Sequence, residues 1–586
     1  MADLHEKIIY KLLKKIPKTA DDFSAVLRSE MRGSKIHEDL SRKTDLLRVY
    51  HAMLAKGKIK KSPALEYLLT KRAVRTMSGV AIITVLTKPY KCPGQCIYCP
   101  DEPEMPKSYI SDEPAAARAL SLQFDPHRQV CERIKTLTSN GHPTDKIELI
   151  VKGGTWNAYP LAYQYWFILR CFEAANNSKS HPELVSGSIT NHVKMLKQVQ
   201  HDTLKKLQHQ LYLAQKKNEI AKHRIIGVTL ETRPDHITEK NILTMRELGC
   251  TRIELGVQTT DDKILKIIRR GHDTAETKRA TELLKNYGFK VDYHLMPQLP
   301  GATPAKDAQM LTKIFSNPSY RPDMIKIYPC TVVKKSPLFK WVKSGKFKPY
   351  SDKKLVELLI NFKTTVPRYV RISRLIRDIP GHHIIAGNRV TNLRQVIQAE
   401  MKRRNLRCNC LRCREVGHAS PLSLRGGVER RRGNLGRPKL FVDKYQASGG
   451  TEYFLSYEDA KRQVAYAFCR LRICHCEEVE GRRSNLLSVQ KTAGLLRFAR
   501  NDTRQAFIRE LHTYGQMLKI GARNTRASQH KGMGVKLVKE AEKLAAKSKA
   551  SKIAVISGVG VRDYYRKLGY KLNNTYMIKD LCINKT

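Results

Sequence analysis

The chain is expected to be an α/β protein: an incomplete TIM-type (β/α) barrel, followed by an α+β domain and preceded by a small helical region. Two patterns point there. From Gly79 onward, short runs rich in β-branched and apolar residues alternate with helical stretches, as in a parallel sheet covered on its faces. Beyond about residue 440 the runs become antiparallel-looking strands, closed by one long helix and a further strand.

Residues 1–76 carry apolar side chains at helical spacing (Ile8, Ile9, Leu12, Leu13, then Leu46, Leu47, Tyr50) and end in a basic stretch with Lys56, Lys58, Lys60, Lys61, Lys71, Arg72 and Arg75. Such a run is either a solvated face or a phosphate-contacting one. The whole chain favours the second reading, because 108 Lys+Arg stand against 54 Asp+Glu, a formal net charge of +54. Self-repulsion on that scale brings no stability, so a polyanionic partner explains it better. An anionic membrane is the competing partner, but no apolar run of about 18 residues is present. The start, MADLHEKIIYKLLKKI, mixes charge with apolar residues, unlike a secretory signal. A soluble, cytoplasmic protein without membrane contact is expected.

The barrel is expected over 77–400, with strands at 80–86, 147–151, 225–230, 252–257, 290–296 and 324–328. Six βα units fit a partial barrel, whose chemistry sits at the carboxyl ends of the strands. A cysteine-rich linker spans 401–438. The α+β domain, 439–586, has strands expected at 439–442, 453–456, 464–471 and 506–514, a helix at 532–548 and a strand at 552–557. Three polar, weakly periodic stretches, 178–203, 419–438 and 473–503, read as insertions carried on the surface.

There are 14 cysteines. Without a secretory signal they argue for metal or redox chemistry, not for disulfides. Cys92, Cys96 and Cys99 form CxxxCxxC directly after the first strand. Three thiolates at that spacing can hold three corners of a [4Fe-4S] cluster. The fourth iron is then open to the amino and carboxylate groups of S-adenosylmethionine, whose reductive cleavage gives a 5′-deoxyadenosyl radical. A zinc site short of one ligand is the alternative, and the position at the top of the first strand favours the cluster. Later strand ends supply Lys152-Gly153-Gly154-Thr155, then Glu231 and Arg233 within ETRPD, then Gly256-Val257-Gln258. Paired glycines let backbone approach a ligand, and the carboxylate, guanidinium and amide face the same mouth.

A second group, Cys408, Cys410 and Cys413, suits a structural Zn2+, with His418 or a distant cysteine such as Cys330 as fourth ligand; unmetallated surface thiols are the other reading. Cys474 and Cys476 lie in an apparent insertion and read as incidental.

In the last domain, Gln529, Gly532 and Gly534 make a QxxGxG loop opening a helix, a ready pyrophosphate site. Glu510-Leu511-His512-Thr513 lie on the preceding strand, whose backbone edge can pair with a pantetheine amide. Tyr564 and Tyr565 follow the final strand and bend. A tyrosine there can protonate a departing thiolate.

VRTMSGVAIITVLTKPYKCPGQCIYCP at 74–100, with DKIELIVKGGT, ETRPD, GCTRIELGVQ, RRGH, HLMPQLPG and RPDMIKIYP in order, resembles the catalytic subunit family of Elongator. The likeness is nearest to its prokaryotic stand-alone members, which join a radical SAM barrel to a GNAT acetyltransferase domain. It implies a tRNA carboxymethyluridine synthase acting on the wobble uridine of the anticodon stem-loop. It implies acetyl-CoA contacts on Glu510–Thr513, on Met533-Gly534-Val535, on Tyr565 and on Lys146, which rests on the resemblance alone. It also implies an electron donor. The implied chemistry takes a hydrogen from the acetyl methyl, joins that carbon to carbon five of uridine, and frees the carboxymethyl group by thioester hydrolysis. Two rival readings remain at this point: a protein lysine acetyltransferase with a non-catalytic barrel, and a tRNA-binding scaffold.

Overall fold

In a computed structural model of the chain, the residues described are 2–17, 20–32, 43–71, 76, 78–177, 201–419, 438–475, 504–514 and 532–581. Most of the three expected insertions lies outside them. Their edges need correction, however. The helix His201–Asn218 begins inside the expected 178–203 stretch, and a strand runs on to His475. Cys474 is therefore a buried strand residue, 7% exposed, and not part of an insertion. Its neighbour Ile473 is buried as well, and the charged run begins only at Glu477, beyond the strand.

Seven parallel strands form the first sheet: β1 (Ala81–Leu86), β2 (Lys146–Lys152), β3 (Arg224–Thr232), β4 (Cys250–Gln258), β5 (Lys290–Leu295), β6 (Met324–Ile327) and, past the short β7 (Val332–Val333), β8 (Arg371–Arg374). They stand in sequence order with every ladder parallel, a curled half-barrel one strand longer than expected. The strand RISR was missed because only Ile372 in it is a buried apolar residue. β9 (Ile384–Ala386) pairs with β7 outside this sheet. Helices between the strands begin on caps such as Asp125, Thr238, Asp273 and Thr303, whose side-chain oxygens accept the otherwise orphaned first-turn amides.

The second sheet holds β10 (Lys439–Ala447), β11 (Gly450–Glu458), β12 (Ala465–His475) and β13 (Arg504–Thr513) in antiparallel order. Beyond it come β14 (Lys552–Val555), parallel to β13, then β16 (Tyr576–Asp580) and the edge strand β15 (Lys571–Asn573). β13 pairs with β14 only from Ala506 to Ile508, so Glu510–Thr513 runs on beyond that ladder. A bulge opposite Arg470/Leu471 leaves Arg509 as the extra residue of β13.

One face of this sheet, with Phe454, Phe507 and Tyr576, joins the core of the barrel; the other packs under the helix Met533–Lys547. The N-terminal helices keep a separate core around Ile8, Leu12, Leu46 and Tyr50. At the seam, Arg509 reaches Asp323 at 2.5 Å and Glu452 at 3.0 Å, and Arg472 meets Glu452 at 3.1 Å, all fully buried. Burial alone would raise the Asp323 carboxyl, yet Arg509, Lys285 and Arg470 hold it far below the usual range. No helix among the described residues is long and apolar enough to cross a membrane.

Candidate active site

The loop after β1 carries Cys92, Cys96 and Cys99 at the carboxyl end of the barrel strands. Gly94 N–H donates to Cys92 Sγ at 3.4 Å, and Thr155 Oγ1, just past β2, lies 3.8 Å from the same sulfur. Arg270, from the RRGH segment, donates to Cys96 Sγ at 3.5 Å. A hydrogen bond with Cys99, and then the Arg270 charge, bring the Cys96 thiol down to about 4 against its desolvation. A Cβ on Gly94 would sit 2.2 Å from Arg233 Nη1, so the loop is pressed onto the guanidinium that ETRPD supplies. Arg233 is anchored in turn by Asp235 at 2.7 Å and by the Arg270 carbonyl at 2.8 Å. Its Nη1 has no hydrogen-bond partner among the described residues.

This donor set fits an iron–sulfur cluster. The thiols of Cys408, Cys410 and Cys413 lie within 4.8 Å of one another, as ligands of a single ion do, whereas those of Cys92, Cys96 and Cys99 do not form such a group. The place of the triad on the loop after β1, with the Gly94 amide and Arg270 donating to two of its sulfurs, favours the cluster over the zinc alternative.

Below the loop the barrel interior is polar, where a closed barrel of this type is packed with branched apolar side chains. Glu254 is fully buried and contacts Lys152 and Lys326, with His294 Nε2 at 3.0 Å. Glu231 lies 3.3 Å from Lys152 and accepts the Tyr109 hydroxyl at 3.0 Å. Burial would raise both carboxyls, but Lys152, with Lys326 or His294, holds them below the usual carboxylate range. Desolvation brings Lys326 down to about 8. Gln258 ends β4 in the left-handed region, φ 70°, a strained position for a side chain and frequent at ligand sites. Gly153 closes the turn after β2, where its carbonyl accepts from Tyr159 at 3.3 Å, and Gly154 follows it.

One cavity of about 770 Å³ is lined at the mouth by Tyr98, Tyr109 and Glu231, in the interior by Glu148, Glu254 and Asp292, and at its far end by His512 and Tyr565. The two halves of the chain therefore share a site. Glu510 and His512 turn their side chains into the barrel: Glu510 accepts Arg470 at 2.8 Å, and His512 Nε2 meets the Ser78 carbonyl at 2.7 Å. Leu511 packs on the second core, and the backbone of Glu510–Thr513 runs on past the β14 ladder, open to a cosubstrate. A Cβ on Gly534 would lie 2.9 Å from the Tyr564 hydroxyl and 3.7 Å from Thr513 Oγ1, so the glycine loop, the strand and the tyrosine pair do converge. Met533 is 7% exposed and packs in that core, with Val535 following it into the helix. Burial keeps Tyr565 protonated well above the usual range and pushes Tyr564 up to about 12. Gly532 caps the helix, whereas Gln529 lies outside the described residues. Lys146 opens β2, half-buried and outside the cavity lining.

The second cysteine group sits at the seam, where Arg414 of the same segment meets Glu458 at 2.7 Å. Cys330 is not its fourth partner. It is fully buried in a different cluster with Cys96 and Leu338. The His418 side chain lies outside the described residues. Instead, buried Lys363 Nζ lies 3.7 Å from Cys413 Sγ. Among the basic residues, Lys60 and Lys71 are exposed, Lys58 pairs with Glu6 at 2.8 Å and Lys61 with Glu66 at 3.8 Å. Arg72 and Arg75 lie outside the described residues. The expectation missed Glu254, Asp292, His294, Lys326, Arg270 and Lys363. For Glu254, Asp292, His294 and Lys326, a polar residue at an inward strand position was the available signal, while Arg270 lay in the RRGH motif and Lys363 on a helix.

Residues 87–313 match the Radical SAM superfamily and 322–403 the Radical_SAM C-terminal domain. The chain is 41% identical over 561 residues to a tRNA uridine(34) acetyltransferase of Methanocaldococcus infernus, covering 92% of this chain and 94% of that one. It is 35% identical over 529 residues to Elongator complex protein 3 of Homo sapiens, covering 88% and 86%. A solved structure of the Methanocaldococcus infernus Elp3, lacking its N-terminus, superposes with a TM-score of 0.66 at 38% identity over 86% of this chain and 99% of that one. By sequence and by fold, the chain belongs to the family of Elongator complex protein 3 and the tRNA uridine(34) acetyltransferases.

Proposed function

We propose that this protein is a cytoplasmic tRNA carboxymethyluridine synthase, acting on carbon five of the wobble uridine with acetyl-CoA and S-adenosylmethionine. The observation that carries the reading is the single cavity touching both Glu231 at the barrel mouth and Tyr565 at the far end. A lysine acetyltransferase with a decorative barrel has no use for that connection, nor for the polar interior that runs along it. The name of the archaeal relative, tRNA uridine(34) acetyltransferase, supplies the base and the kind of acyl donor.

Cys92, Cys96 and Cys99 would hold the [4Fe-4S] cluster, which together with S-adenosylmethionine and an electron donor supplies a 5′-deoxyadenosyl radical. The residues of the chain do the rest of the positioning. Glu231, Arg233, Gln258 and the Gly153-Gly154-Thr155 turn offer a carboxylate, a guanidinium, an amide and open backbone to a polar cosubstrate. Tyr565, with its hydroxyl protonated, can give its proton to a departing thiolate. The Glu510–Thr513 backbone and the Gly532–Val535 helix start would hold acetyl-CoA, with Lys146 at the rim of β2. Cys408, Cys410 and Cys413 would hold a zinc ion that fixes the seam. Lys58, Lys60, Lys61, Lys71, Arg72 and Arg75 would contact tRNA phosphates, and the uridine would leave its stack to reach the barrel.

Anaerobic reconstitution with tRNA, acetyl-CoA and S-adenosylmethionine, read by nucleoside mass spectrometry, tests this. Carboxymethyluridine is expected. Acetylated peptide lysines with unmodified tRNA would favour the acetyltransferase reading instead.

A further inference from the structure

We propose that Asp112, His382 and His383 form a binding site for a divalent transition-metal ion of the zinc class, fastening two segments at the rim of the barrel mouth. Asp112 lies in the turn before the helix Pro114–Ser121, and the histidines close the short 3-10 helix Gly381–His383. His383 Nε2 lies 2.7 Å from Asp112 Oδ2, and His382 Nε2 lies 3.6 Å from the same oxygen. All three ligand atoms fall within 4.8 Å of one another. Successive residues of a 3-10 turn point about a third of a turn apart. These two rings nevertheless converge, with centroids 4.2 Å apart, on one carboxylate oxygen.

The donor chemistry selects the ion. Two imidazole nitrogens and one carboxylate suit zinc and its neighbours, whereas calcium and magnesium take oxygen ligands. The ligands are also held in place from beneath. Ile110, Val333, Ile379 and Ile384 pack as a small apolar cluster under both segments. Arg377 ties them further, donating to the Ser108 carbonyl and to Glu113 Oε1 at 2.6 Å. The path to the site is open, because Asp112 is 54% exposed, His382 70% and His383 32%. The position matters for access to the reaction: Tyr109 and Glu113 on one segment, and Asp378 and Ile379 on the other, line the shared cavity. A bound ion would clip the two together at its mouth.

The site stands independently of the proposed reaction, and so does its test. Full-length protein carrying its iron is dialysed against zinc, and bound metal is counted for the wild type and for His382→Ala/His383→Ala. These exposed side chains can be cut back without disturbing the core. The double variant should bind one zinc fewer at unchanged iron content. A Cys408→Ala/Cys413→Ala control shows whether the cysteine group accounts for a separate equivalent. In the wild type only, zinc should slow hydrogen exchange in both 108–113 and 379–385. Equal zinc counts in wild type and double variant, or bound zinc that fails to slow both segments, would overturn the proposal.

Discussion

Arg270 donates to the sulfur of Cys96 across 3.5 Å while its other terminal nitrogen donates to the Gly256 carbonyl, fixing the guanidinium between the cysteine loop and the end of β4. Hydrogen bonds and positive charge at a ligand sulfur raise the reduction potential of an iron–sulfur cluster. Arg270→Met should therefore lower the midpoint potential in an EPR-monitored redox titration, with most iron retained. An unchanged potential at full iron content would remove Arg270 from the account.

The seam between the two halves depends on charge. Asp323 and Glu452 are shared among Arg509, Arg470, Arg472 and Lys285, all buried. Asp323→Ala leaves Arg509 without its main counter-ion and should cost about 3–5 kcal/mol in urea unfolding of the seam. Replacing both partners, Asp323→Leu with Arg509→Met, should recover much of that loss. A double variant as unstable as the single one would mean that packing, and not uncompensated charge, sets the cost.

Asp292 faces the barrel interior with neither carboxylate oxygen hydrogen-bonded among the described residues. Burial pushes it up to about 7 from an ordinary 3.8. The folded state thus holds this proton more tightly than the unfolded chain does. Its contribution to stability is complete below about pH 4 and is lost as pH rises through about 7. Asp292→Asn should be close to wild type at pH 5 and more stable at pH 8, by on the order of 1–3 kcal/mol. Equal differences in thermal midpoint at both pH values would contradict the ionisation argument.

Binding of tRNA should weaken steeply with salt as condensed counterions are released. Lys60→Glu/Lys61→Glu should weaken all tRNAs alike and flatten the salt slope, measured by filter binding from low to physiological salt. Unchanged affinity would place the footprint elsewhere.

The parallel sheet and its cysteine loop were legible because continuous apolar strands and CxxxCxxC are local signals. The convergence of Gly534, Thr513 and Tyr564 was legible through motif order. What stayed hidden was non-local. Glu254 and Lys326 each read as a single charge in an apolar strand, and only the barrel brings them to Lys152 at the end of β2. Arg509 looked like an ordinary strand residue, although a bulge turns it into the buried lock of the seam. The edge of the last insertion was set too early, since the charged run begins at Glu477, just past the end of the strand at His475.

The central claim is that acetyl chemistry and radical chemistry meet in one cavity. Trideuterated acetyl-CoA, supplied anaerobically with tRNA and S-adenosylmethionine, reports on this directly, because the 5′-deoxyadenosine recovered must take its extra hydrogen from whatever lies beside it. Deuterium should appear in 5′-deoxyadenosine from wild type and persist in Tyr565→Phe, whose carboxymethyluridine should fall about a hundredfold, because the thiolate departs only after the hydrogen has been taken. Modified uridine formed together with 5′-deoxyadenosine free of deuterium would show that the two chemistries do not share the cavity.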